Sequence, residues 1–137
     1  MKIIVCIDDN KGMLFNKRRQ SQDNILREDI INNLNGSRLL MNEYSYKQFK
    51  DTQQDHITVD NNFLSTAAEE DYCFVENLKL SPYEEKISEL ILYHWNRNYP
   101  ADTYFDIDLS QWELVSSTEF AGSSHEKITK EIYKHAK

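Results

Sequence analysis

Residues 2–7 read KIIVCI, and the residues that follow, 8–12, read DDNKG. After its opening lysine the run is unbroken in apolar character and rich in β-branched side chains. A strand with one wet face would alternate; a continuous run is expected of a strand buried on both faces, at the centre of a sheet. Asp8, Asp9, Asn10 and Gly12 then end it with turn chemistry. The rest of the chain must therefore supply neighbouring strands on both sides and cover on both faces.

Residues 24–34 (NILREDIINNL) place Leu26, Ile30, Ile31 and Leu34 on one broad face at about 100° per residue, the pattern of an amphipathic helix. Asp23 or Asn24 is the expected N-cap and Gly36 the expected stop. SRLLM (37–41) reads as a short strand, YSYKQF (44–49) as a short helix and HITVD (56–60) as a strand. EEDYCFVEN (69–77) contains another strand. SPYEEKI (81–87) carries helix-start signals: a Ser cap, Pro82 in the first turn and acids behind it. ELILYHWNRNYPADTYFDIDL (89–109) reads as one long strand bent near Pro100, and WELVSSTEF (112–120) as a strand. HEKITKEIY (125–133) carries two signals. Ser123 and Glu126 fit a capping box, while Ile128, Lys130 and Ile132 alternate; the alternation favours an edge strand. The sum is one α/β domain over residues 1–137, a three-layer-like mixed sheet with flanking helices.

Composition bounds the function. The chain has 137 residues, 39% hydrophobic and 12% aromatic, enough for a packed core without disulfide staples. Net charge is −7, unsuited to neutralising phosphates, so no nucleic-acid partner is expected. No apolar run approaches the ~20 residues that span a bilayer, so no membrane partner is expected either. Cys6 and Cys73 sit inside apolar runs and outside any CxxC pair. They read as buried free thiols, without structural zinc, in a reducing compartment; the expected location is the cytoplasm.

In this order the pieces resemble dihydrofolate reductases. SRLLMNEYSYKQF is similar to that family's apolar strand followed by G-R-x-T-[WY]-E-S. ADTYFDIDLSQWELVSSTEF is similar to its G-D-T-x-F-P, acidic loop and W-E strand. KIIVCIDDNKGML resembles the opening strand and the start of the active-site loop, and HITVDNNF and EEDYCFVEN resemble two short parallel strands. The resemblance implies a shortened reductase-like fold. It does not extend to the cofactor. The family's G-G-G turn lets backbone approach the NADPH pyrophosphate, but Gly12, Gly36 and Gly122 are isolated here. Asn42 and Glu43 stand where the family has a phosphate-holding Gly-Arg. Between Asn77 and Glu89 there is only a short connection, where the family has a helix, a central strand, the glycines and a second helix. The family's catalytic carboxylate would fall near Ile25. No cofactor is therefore expected. DDNKGMLFNKRRQSQD, DYCFVEN, YHWNRNYPAD and FAGSSHEKITKEIY also resemble a group of small bacterial proteins sometimes labelled ribonuclease Z. That label implies a clustered H-x-H-x-D-H motif for two zinc ions, whereas His56, His94, His125 and His135 are scattered, so no metal is expected.

The stretch DNKGMLFNKRRQSQD (9–23) leaves the carboxyl end of the first strand, where folds of this kind bind ligands. Arg18 and Arg19, with Gln20, are candidate contacts for a phosphate or carboxylate. The plainer reading is a solvated basic patch facing Asp23 and Glu28. Met13, Leu14 and Phe15 are expected to tuck the start of the loop onto the core. Asp8 and Asp9 are candidate ligand contacts or simple turn residues, and Asp29 is the candidate buried acid. Asp102, Asp106 and Asp108 form either a divalent-ion set or a polar edge. Alternation puts Tyr93, Trp95, Arg97 and Tyr99 in one row, expected in the core or at a subunit interface such as a homodimer's. Ser123, Ser124 and His125 invite a serine-hydrolase reading, but adjacent residues rarely reach nucleophile–base geometry.

Three functions follow as expectations. The first is a non-catalytic binding module for a small anionic metabolite or a protein partner, using the 13–23 loop. The second is an enzyme with Asp29 as acid/base and Arg18 or Arg19 as anion clamp. The third is an acidic inhibitor or immunity-type interaction protein.

Overall fold

β1 (Lys2–Ile7) is central, as its unbroken apolar run requires. The computed structural model describes residues 1–50 and 56–135. The elements that follow are β2 (Gly12–Phe15), β3 (Arg18–Arg19), α1 (Asn24–Asn32), β4 (Leu39–Met41) and α2 (Glu43–Phe49). Then come β5 (Ile57–Val59), α3 (Phe63–Thr66), β6 (Tyr72–Phe74) and a 3₁₀ turn over Ser81–Lys86. The chain closes with β7 (Glu89–His94), β8 (Thr103–Tyr104), a 3₁₀ turn over Leu109–Gln111, β9 (Trp112–Phe120) and β10 (Ile128–His135).

Seven strands form the main sheet in the order β5-β4-β6-β1-β7-β10-β9. The first five run parallel, with Ile3 level with Cys73 on one side and Leu90 on the other. β10 is antiparallel to both β7 and β9. A small sheet, β3-β2-β8, lies beyond the carboxyl end of β1. Ile3, Val5 and Ile7 pack into one core with Phe63, Leu80, Phe105 and Trp112. Ile4 faces the other core, with Leu26, Ile30, Leu34, Phe49 and Trp95.

α1 forms as its sequence specifies. Asp23, extended at φ −153°, accepts from the Ile25 and Leu26 amides at 3.0 and 3.2 Å and so supplies the N-cap. Leu26, Ile30 and Leu34 are each at most 2% exposed, and burying each such side chain contributes about 2 kcal/mol. Gly36, at φ +85°, turns the chain in a conformation that side chains resist.

Several expectations are corrected. The segment 89–109 is not one strand. β7 ends at His94, the chain turns through Asn96 at φ +60°, and only Thr103–Tyr104 returns to strand, in the other sheet. The C-terminal segment is a strand but an inner one; β9 is the edge. Ser123 caps nothing of its own and instead accepts from the Asn24 amide at 2.9 Å. Residues 81–86 make a 3₁₀ turn, with Pro82 in its first turn as expected, but the Asp106 carboxylate, not Ser81, accepts from the Leu80 and Ser81 amides. β6 is a direct neighbour of β1, so it fills the position of the central strand that the short 77–89 connection had been taken to lack. Phe15 does not tuck in: Met13 and Leu14 are 5% exposed and Phe15 is 49% exposed.

Candidate functional site

The parallel strands β1, β6 and β4 deliver Asp8, Glu76 and Asn42 to one end of the sheet. Each is buried and each is held. Asp8 is 1% exposed, and its Oδ1 accepts from the amides of Asn10 at 2.9 Å and Gly12 at 2.7 Å. Its Oδ2 accepts from Gln20 Nε2 at 3.2 Å and the Tyr99 amide at 3.1 Å. A carboxylate so satisfied ties the 9–23 connection to residues 97–100. Gly12 is required there, because a Cβ would stand 2.5 Å from that of Ala101.

Arg19 points inward from β3. Its Nε and one terminal nitrogen donate to Glu76 at 3.0 and 3.1 Å, and the same nitrogen donates to the Tyr44 carbonyl at 3.1 Å. The guanidinium also lies 4.8 Å from the Tyr44 ring centroid. Gln48 Nε2 adds a bond of 2.9 Å to Glu76. Asn42 accepts from the Ser45 amide as the cap of α2 and donates to Asn77 Oδ1 at 2.9 Å. Cys6 lies within reach of these charges. Burial first, then the carboxylates of Glu76 and Asp23, push its thiol well above the ordinary value, so it stays a thiol.

Arg18 is exposed and makes no ion pair among the described residues. It borders a pocket of about 280 Å³ with Phe15, Asn16, Arg19, Gln20, Tyr99 and Pro100. Gln20 Oε1 is buried and finds no hydrogen-bond partner among the described residues. Asp9 is exposed, its amide donating to the Arg97 carbonyl at 3.0 Å.

Asp29 stands apart from both arginines. It is half-buried, not buried as expected, and its Oδ2 accepts from Tyr93 Oη at 2.5 Å and Lys130 Nζ at 2.9 Å. Burial, with Asp29 second, drives the Tyr93 hydroxyl far above its usual range, so it remains the donor. Tyr93 and Trp95 are 1% and 4% exposed and belong to the core. The expected row is broken, for only Arg97 is exposed and Tyr99 is half-buried. Asp106 and Asp108 are turn caps, Asp102 accepts from the Asn16 amide, and no group of acids, histidines and cysteines with metal-holding geometry occurs among the described residues.

One cluster joins residues that no local pattern connects. Asp23 Oδ1 accepts from the Ser123 amide at 3.0 Å, and Oδ2 from the Ser124 amide at 2.8 Å and from the Ser124 hydroxyl. His125 Nδ1 lies 3.1 Å from Asp23 Oδ2. His125 Nε2 lies 3.0 Å from Tyr99 Oη and 3.2 Å from Ser21 Oγ, with the imidazole stacked on Trp95 at 4.5 Å between centroids. Burial raises the Asp23 carboxyl, but the Ser123, Ser124, His125 and Leu26 donors outweigh it and hold it well below the usual range. The sequence signals for Glu76 and Asp23 were an acid closing an apolar strand and a helix cap; neither names its partner.

The fold is a dihydrofolate reductase-like mixed α/β fold. The fold is similar to that of a solved dihydrofolate reductase from Enterococcus faecalis complexed with NADP(H) and RAB-propyl, with a TM-score of 0.68 at 11% identity. The likeness covers 99% of this chain and 96% of that one. No family model and no curated protein matches the sequence, and the structural likeness does not carry the ribonuclease Z label. Among the described residues no helix is long and apolar enough to cross a membrane.

Proposed function

We propose that the chain is a binding module for a small anionic ligand with an apolar body, built on a reductase-like scaffold that has given up nicotinamide chemistry. The residues present do not fit a dinucleotide. At the end of β6, where the reductase resemblance implies a glycine turn, stand Glu76 and Asn77. The Glu76 carboxylate is 8% exposed and already holds Arg19. A pyrophosphate there would meet a buried negative charge and side chains instead of bare amides.

The observation that carries the reading is the division of labour between adjacent arginines. Both border the pocket, but Arg19 is engaged by Glu76, while Arg18 keeps its donors open beside the apolar walls of Phe15, Tyr99 and Pro100. A guanidinium with free donors beside an apolar pocket selects a carboxylate or phosphate on an apolar body. A ligand hydroxyl or amide N–H reaching Gln20 Oε1 would satisfy that orphaned acceptor.

The test is a thermal-shift panel of small aromatic and aliphatic carboxylates and phosphate monoesters, with NADPH included. Ligand linkage raises Tm by mass action, and a ligand at 100 Kd adds about 2.7 kcal/mol. The expected result is stabilisation by an anionic compound that Arg18→Ala abolishes, and none by NADPH. Stabilisation by NADPH, or a shift that survives Arg18→Ala, overturns the reading.

A further inference from the structure

We propose that Ser21 is the nucleophile of a small acyl-transfer site, with His125 as its base and Asp23 as the group that orients the base. They come from two segments: Ser21 and Asp23 lie in the stretch that leads into α1, Asp23 as its cap, and His125 lies in the β9–β10 connection. Their atoms form a continuous line. Ser21 Oγ is 3.2 Å from His125 Nε2, and His125 Nδ1 is 3.1 Å from Asp23 Oδ2. Nucleophile within reach of base, and base within reach of an orienting third group, is the arrangement that activates a hydroxyl.

The surroundings fix the direction of proton flow. Asp23 is ionised and buried, so it keeps the imidazole proton on Nδ1. Nε2 then presents its lone pair. The Trp95 ring stacks on the imidazole and holds its plane. Two hydroxyls, Ser21 and Tyr99, compete for that single lone pair. Whenever Tyr99 donates, Ser21 is left in reserve; whenever Ser21 donates, its oxygen is activated. Ser21 is half-buried, and Tyr99, which shares the imidazole with it, also lines the pocket beside Arg18.

The substrate class is a small activated ester. Ser21 Oγ forms a bond to the carbonyl carbon while its proton passes to His125 Nε2. The bond from that carbon to the leaving oxygen breaks, and the leaving group takes the proton. Water, deprotonated by the same Nε2, then attacks the acyl-serine and releases the acid, returning the proton to Ser21. No oxidant or metal enters. The inference does not need Arg18, and it stands apart from the binding reading.

The experiment is incubation of the intact protein with p-nitrophenyl acetate and, separately, with a fluorophosphonate, followed by mass spectrometry and peptide mapping. A single adduct on Ser21, absent in Ser21→Ala, is expected. Tyr99→Phe removes the competing donor and should raise the labelling rate several-fold. His125→Gln should lose labelling while circular dichroism shows the fold retained; if it unfolds, Ser21→Ala and Tyr99→Phe decide alone. No adduct, an adduct on another residue, equal labelling of Ser21→Ala, or a Tyr99→Phe rate at or below the parent's overturns the proposal. Anion-induced thermal stabilisation is read separately on the same protein, so failure of labelling and failure of the anion pocket are distinguishable.

Discussion

The two halves of the main sheet solve opposite problems. On the parallel side, β5, β4 and β6 are three residues each and β1 is six, and the central strands are covered on both faces. On the antiparallel side, β9 and β10 run nine and eight residues and stay largely in contact with solvent. The short half ends in buried charge: Asp8, Glu76 with Arg19, and nearby Asp23 with His125. The outer edge of the long half carries its charge in water, as in the Lys127–Glu119 pair, whose side chains are 61% and 53% exposed. Where strands are short and buried, polar groups at their ends must find partners inside the fold, and such ends are where a site can be built. The long strands close the sheet and deliver the loop of residues 121–127, which carries His125.

The largest test of that contrast is Arg19→Ala. It strands the Glu76 carboxylate, 8% exposed, with Gln48 as its remaining hydrogen-bond donor among the described residues, and should cost about 3 kcal/mol in urea unfolding. Arg18→Ala, one residue away, should stay within about 0.5 kcal/mol of the parent. A smaller effect concerns acid. The folded Asp23 carboxyl sits below its unfolded value, so its contribution is fully present above pH ~4 and is lost as pH falls through the folded value. Unfolding free energy measured from pH 6 down to pH 2 should drop below pH ~4, and Asp23→Asn should flatten that part of the curve. The smallest effect lies on the antiparallel half. Lys127→Ala should change stability by less than about 0.5 kcal/mol, because both partners of its ion pair remain wet.

The same contrast explains what was legible beforehand. KIIVCI announced a central strand because burial on both faces leaves no room for polar alternation. The cap Asp23 and the stop at Gly36 marked α1 because those residues act on their own backbone. The end of β7 was hidden: Trp95 and Tyr99 continue the aromatic spacing, while the turn at Asn96 answers to the Asp9 and Asp8 contacts across the fold. α3, with four residues, offered too little periodicity to read. Arg18 and Arg19 lie beyond the carboxyl end of β1, and their separate fates were not visible in the sequence. Arg19 meets Glu76 across 57 positions and Asp23 meets His125 across 102, and no local pattern encodes either meeting.

β9 is the outer rail of the sheet, and among the described residues one side of its backbone has no neighbouring strand. Leu114 and Val115 stand 47% and 48% exposed along it, while Glu113 and Glu119 sit near its two ends. Carboxylates at such a rim discourage another chain from zipping on through its amides. Without those two charges the rim would be an open edge flanked by apolar side chains, the feature from which strand-to-strand stacking starts.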